Sequence, residues 1–376
     1  MNTVEELLKE YTDKLNSIYV NANTKSKRRR ILNDLFRYSN MCHKHFSIED
    51  SFTCEDDIRF KGLSTYNNDN LKLNILKNKH IYLKISDSII EKYIETSYPL
   101  YKGYIDTYRE YHEISDNEIV EIILSFLNEF DYELYKRFKD KVKESDIIMG
   151  LPSGEDFYGA TCDFDVLKKN LMLINTGYNG KCDVRVASTN MHEYVHIFEM
   201  DLYHRSCIDN NIYTYPFYEV SSQFFEYAFT EYLLDNKIYY DDAVVYRRMA
   251  YIELFYFMVG MNLFSEVKKV SENEYNYEYD LKEKETRIHE KVNYYGAFNY
   301  ELDDFDRCYI YGLGYLFSPY LYENYKKDPK YFMREFKNAL LTYPHTNSIN
   351  TFERVGVTTD SLIKGNALKK VLKNSR

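Results

Sequence analysis

The spacing of apolar positions makes this a chain of helices over most of its length. Val4–Val20, Lys25–Phe36 and Ile81–Ile94 each carry apolar residues at helical spacing. Pro99 marks a break, and Leu100–Glu113 reads as the next helix. Ser115-Asp-Asn-Glu118 has the pattern of a capping box and opens a strongly periodic helix from Ile119 to about Phe130. Another helix follows over Asp131–Lys143. Between Ser51 and Asn78 the chain is polar and Asn-rich, which predicts an irregular segment. The pattern changes at Gly150–Gly159, a loop containing Pro152 and Gly154. Leu171–Thr176 reads as a strand, Gly177–Gly180 (GYNG) as a turn, and Asp183–Ala187 (DVRVA) as a second, alternating strand. Beyond this hairpin the pattern is helical nearly to the end. The change near 150 suggests an N-terminal helical region over 1–150 and a second region over 151–376.

Composition narrows the class. The 376 residues are enough for a sizeable core, and 13 glycines with 6 prolines leave room for long helices. The formal charge of −10 disfavours a nucleic-acid partner, which would call for a basic excess. The longest apolar run, Leu254–Phe264, is too short to span a bilayer, so no membrane partner is expected. The opening VEELLKEYTDKL is amphipathic and lacks the pattern of a signal peptide. Cys42, Cys54, Cys162, Cys182, Cys207 and Cys308 form no CxxC and read as reduced thiols. Both features point to the cytoplasm. Cys42-His-Lys-His45 has no second ligand pair nearby at a zinc spacing and reads as a solvated loop. The 41 tyrosines, with no tryptophan, accompany abundant Asn, Lys and Ile and first suggest nucleotide bias.

The chemistry enters at His192-Glu-Tyr-Val-His196, an HExxH. On a helix the two histidines lie one turn apart on one face and can converge on one Zn²⁺ at about 2.0–2.1 Å. Glu193 can then take a proton from water at the open coordination position. Ser188, Thr189 or Asn190 would cap that helix. A catalytic zinc needs a third protein ligand. The short metzincin spacing falls on Leu202, and His204 is out of register. Further on, Glu219, Gln223 and Glu226 make a polar stripe at i, i+4 and i+7 on an otherwise apolar helix. Buried carboxylates need a positive neighbour, and a metal ion supplies one. Glu219 is therefore the candidate third ligand, and Glu226 a candidate acceptor that orients a ligand imidazole.

HEYVH followed by EVSSQFFE resembles the M3 family of zinc oligopeptidases, the oligoendopeptidase F and thimet oligopeptidase group. Gly159-Ala160, Tyr309-Ile-Tyr-Gly-Leu-Gly-Tyr315 and Glu353-Arg-Val-Gly-Val-Thr-Thr resemble further stretches of that family. The similarity covers roughly Ile119 to the C-terminus. It implies a mostly α, zincin-like helical metallopeptidase with a small antiparallel β element before the HExxH helix, and a deep channel admitting short peptides. It implies one Zn²⁺ held by His192, His196 and Glu219, with Glu193 as general base. Tyr315 or Tyr309 would hydrogen-bond the tetrahedral intermediate, and Tyr311 would line the substrate site. The chain departs from the family at Val195, where Gly is usual. It has no histidine over Asn299–Cys308, the nearest being His289, and its N-terminal part is shorter. The expected activity is zinc-dependent cleavage of internal bonds in short peptides. A zinc carboxypeptidase of similar helical fold and an inactive peptide-binding relative are the alternatives. An extended peptide would pair with the expected strand Asp183–Ala187.

Overall fold

The computed structural model describes residues 80–90, 111–144, 147–151, 159–164, 169–175, 182–205, 217, 219–263, 268–269, 275–276, 305–346 and 349–369. The helices expected over Val4–Val20 and Lys25–Phe36, the irregular segment to Asn78 and the GYNG turn lie outside these residues. Most of what is described is helical. The chain divides into two compact units, one of whose boundaries falls within a helix, at Phe198/Glu199. Among the described residues, one unit holds 113–198, and the other holds 80–90, 111–112 and the chain from 199 onward.

In the first unit, α2 (Asp116–Phe130) follows its sequence pattern closely. Ser115 caps it by accepting the Glu118 N–H, and Ile119, Ile122, Ile123, Phe126, Leu127 and Phe130 are the buried face. Asp131 then opens α3 (Tyr132–Glu144), accepting from the backbone of Glu133 and Leu134. A three-stranded sheet follows, with β1 (Ile147–Leu151), β2 (Gly159–Phe164) and β3 (Lys169–Asn175) in the order β1-β3-β2. β3 is central. It runs antiparallel to β2, with Gly159 opposite Ile174 and Phe164 opposite Lys169, and parallel to β1, with Ile147 opposite Met172.

Two expectations are corrected here. The strand containing LMLI pairs with the preceding segment 159–164, which the sequence pattern left partly as loop, and not with 183–187. A continuous apolar run is what a strand flanked on both sides carries, and it does not say which neighbour it pairs with. Asp183–Ala187 is not a strand at all. It begins α4 (Val184–Arg205), because the Asp183 side chain accepts the Arg185 N–H at 2.8 Å and its carbonyl accepts the Ala187 N–H at 3.0 Å. The alternation of Val184 and Val186 served burial in a helix, where both are enclosed. The Ala187 N–H is spent inside the helix, so peptide pairing on that segment falls away.

Among its described residues, the regular structure of the second unit is helical apart from the two-residue pair β4 (Lys268–Lys269) and β5 (Tyr275–Asn276). Helix α1, residues 80–90, buries Tyr82, Ile85, Ile89 and Ile90 at helical spacing. Residues 111–115 are not helical, and the rest of the helix expected over Leu100–Glu113 lies outside the described residues. α5 (Val220–Asp235) and α6 (Tyr240–Leu263) are joined by a short turn, and α7 (Phe305–Tyr325) packs on both. α8 (Pro329–Thr346), a 3₁₀ helix (Ile349–Val355) and α9 (Thr359–Lys364) complete the unit. Aromatic rings fill the core: Phe224 meets Phe332 and Phe336 at 5.4 and 5.2 Å, and Phe217 meets Phe317, Tyr343 and Phe352 at 5.5–6.0 Å. No helix among the described residues is long and apolar enough to cross a membrane.

Candidate metal centre

Residues 192–196 lie in α4, at the part of that helix where burial is complete. Every residue from Asn190 to Glu199 is buried, polar ones included. A helix enclosed on all sides needs a use for each polar group it buries. Tyr194, between the histidines, fixes the rotation of the helix. Its ring packs edge-on against Phe138 at 4.8 Å, and its hydroxyl donates to the Leu134 carbonyl at 2.6 Å. The histidines are thereby aimed away from α3. His192 and His196 are 8% and 4% exposed, and their Nε2 atoms stand 3.2 Å apart. The helix cap is Asp183; Ser188, Thr189 and Asn190 lie inside the helix.

Glu219 occupies the N-cap position of α5, where its carbonyl accepts the Gln223 N–H. Phe217, locked in the aromatic core two residues earlier, fixes where this helix starts. Glu219 is 2% exposed, and the Ser222 hydroxyl donates to its Oε2 at 2.7 Å, setting the carboxylate's direction. The ligand atoms of His192, His196 and Glu219 all lie within 4.8 Å of one another. Two nitrogens held about 2.05 Å from a single tetrahedral ion would be roughly 3.3 Å apart, close to the separation seen. Two imidazoles and one carboxylate, buried together, can hold a metal ion. Glu193, also buried, is next to the first histidine in sequence.

The other predicted residues are placed as follows. Gln223 and Glu226 are buried, and Glu226 accepts a hydrogen bond from the Tyr246 hydroxyl. On α7, Tyr311 and Tyr315 share one face, and each stacks on Phe257 with centroids 5.9 Å apart. Tyr315 donates to Glu253 at 2.5 Å. Its hydroxyl is held well above the usual tyrosine range, first by burial and then by the carboxylates of Glu253 and Glu226, so it remains a donor at neutral pH. Tyr309 is turned elsewhere. It is buried against Tyr82, and its hydroxyl donates to the Met261 carbonyl at 3.3 Å. Gly314 brings α7 onto α5: a Cβ there would lie 2.8 Å from the Glu219 carbonyl oxygen and 2.8 Å from Gln223 Cγ. His289 and Asn299 lie outside the described residues. Val195 is fully buried.

Sequence reasoning missed Asp183, Ser222 and Glu253. A serine three residues after a candidate ligand was a signal for Ser222. A single charge within the apolar run around Leu254 was one for Glu253. Cys182 and Cys308 are buried free thiols, and burial together with a hydrogen bond to Asp116 pushes the Cys182 thiol up to about 12.

No sequence-family profile matches the chain, and no curated protein matches it by sequence. Solved structures do match. A protein assigned as an oligoendopeptidase F from Bacillus anthracis str. Ames superposes with a TM-score of 0.56 at 12% identity, over 99% of this chain and 73% of that one. A protein assigned as a peptidase from Chlamydophila abortus gives 0.57 at 12% identity, over 98% of this chain and 62% of the other. Identity at this level carries the fold alone. The chain thus shares the fold of these two structures, which is the fold that the resemblance of HEYVH and EVSSQFFE implied.

Proposed function

We propose that the protein is a zinc-dependent endopeptidase of the M3 type, acting on internal bonds of short peptides. The observation that carries this reading is the buried His192–His196–Glu219 cluster, with its Nε2 pair 3.2 Å apart and Glu193 beside it in the helix. The peptidase fold supports it. His192, His196 and Glu219 would hold the ion. Bound there, zinc would polarise the scissile carbonyl and make water a nucleophile near neutral pH. Glu193 takes the proton of the attacking water and returns it to the leaving amine. Tyr315 turns its hydroxyl proton from Glu253 to the carbonyl oxygen as negative charge develops there. Tyr311, on the same face of α7, contacts the substrate. Glu226 orients a ligand imidazole, itself steadied by Tyr246.

The test pairs a zinc assay with a quenched peptide library. Wild type and Glu193→Gln should both hold one zinc per chain, while turnover falls by about 10²–10⁴ in the variant. Equal cleavage by the two proteins, or cleavage without zinc, would overturn the mechanism. Product analysis separates the endopeptidase from a carboxypeptidase, which would release only C-terminal residues.

A further inference from the structure

Glu199 has no role in the mechanism above, yet it is a carboxylate with 0% exposure. A charge so enclosed is costly unless paired. Its Oε2 accepts the hydroxyl proton of Ser221 at 2.5 Å, and Ser221 is likewise 0% exposed. That length is in the range of a charge-assisted O–H···O⁻ bond. The two residues are placed with some economy. Glu199 is three positions after His196 and seven after His192, so it continues the histidine face of α4 by about one turn. Ser221 is two positions after Glu219. The adjacent Ser222 already turns the Glu219 carboxylate.

We propose that Glu199 and Ser221 form a clamp that holds the first turn of the helix carrying Glu219, and so sets the affinity of the site for its metal. Both are positioning residues. Ser222 fixes the direction of the ligand carboxylate, and Ser221 fixes the start of the helix that carries it. Gln matches Glu in length but is neutral, so it would not reproduce a charge-assisted bond from a buried hydroxyl. The inference rests on the metallopeptidase reading.

The measurement is zinc affinity by competition with a fluorescent chelator, alongside thermal unfolding of the metal-free protein. Ser221→Ala and Glu199→Gln should each weaken zinc binding about tenfold or more. Ser221→Thr, which retains the hydroxyl, should bind as wild type does. The double variant Glu199→Gln/Ser221→Ala should lose no more than the single ones, because both remove one interaction. If Ser221→Ala fails to fold with Glu199 unsatisfied, Glu199→Met/Ser221→Ala removes the charge together with its partner and should show the same tenfold loss. A clamp of merely structural use would lower the unfolding temperature and leave zinc affinity unchanged, which would overturn the proposal, as would additive losses in the double variant. Wild type that binds no zinc would remove the metallopeptidase reading and the clamp together. Wild type that binds zinc, with Ser221→Ala binding equally well, would remove the clamp alone.

Discussion

Tyr309 and Tyr315 are chemically identical and six positions apart, and only the rotation of α7 separates them. Tyr315 faces Phe257 and Glu253, while Tyr309 faces Tyr82 and the Met261 carbonyl. Replacing Tyr315 by Phe keeps the stack and removes the donor, so kcat should fall by about 10²–10³ with zinc content unchanged. Tyr309→Phe should cost about 1 kcal/mol of stability and leave turnover within a few-fold. Steady-state kinetics and urea unfolding of the two variants check this directly, and a reversed pattern would reassign the roles. The sequence YIYGLGY showed that a hydroxyl was available but not which one. The zinc candidates were more legible, because HExxH and a downstream Glu are tied to helix geometry at fixed spacing. Glu199 was not legible because its value depends on a partner, Ser221, on another segment. Composition cannot carry that information.

Among the elements, those with a long period were the readable ones. Ile119 to Phe130 repeats its apolar residues over three turns, and the observed helix buries that same set. Five alternating residues at Asp183–Ala187 could not compete with an aspartate able to cap a helix, and the cap prevailed. The pairing of β3 with β2 was hidden for a different reason: strand partnership is tertiary, and local pattern does not encode it. The packing of α7 on α5 rests on Gly314. A methyl group there meets the Glu219 carbonyl, a backbone atom that cannot step aside. Gly314→Ala should therefore destabilise the protein by about 1–3 kcal/mol. Gly312→Ala meets first the mobile end of Met258, at 2.9 Å, and should cost less. Chemical denaturation of both variants orders them, and equal losses would mean that α7 yields as a whole.

At the scale of the molecule, the tyrosine-rich composition acquires a measurable meaning. Tyr82, Tyr227, Tyr251, Tyr315, Tyr320 and Tyr322 are all held above their ordinary pKa, with burial the first cause in each. The folded protein thus retains protons that the unfolded chain releases near pH 10. This stabilisation is fully present below about pH 10 and is lost as the pH climbs above it. Tyrosinate absorbance, undisturbed by tryptophan, should rise in two phases, the second coinciding with loss of helical circular dichroism. A single phase, complete while the helices persist, would contradict the burial. The division of the chain at Phe198/Glu199 was invisible beforehand because it falls inside one helix, with no change of composition to mark it.

That same helix, enclosed at every position from Asn190 to Glu199, has a kinetic consequence. A helix end that frays lets its side chains come and go on their own, but this stretch has no frayed state to visit. The amide protons of Asn190–Glu199 should therefore exchange with solvent only when the surrounding core opens with them, on the timescale of unfolding and not of local fluctuation.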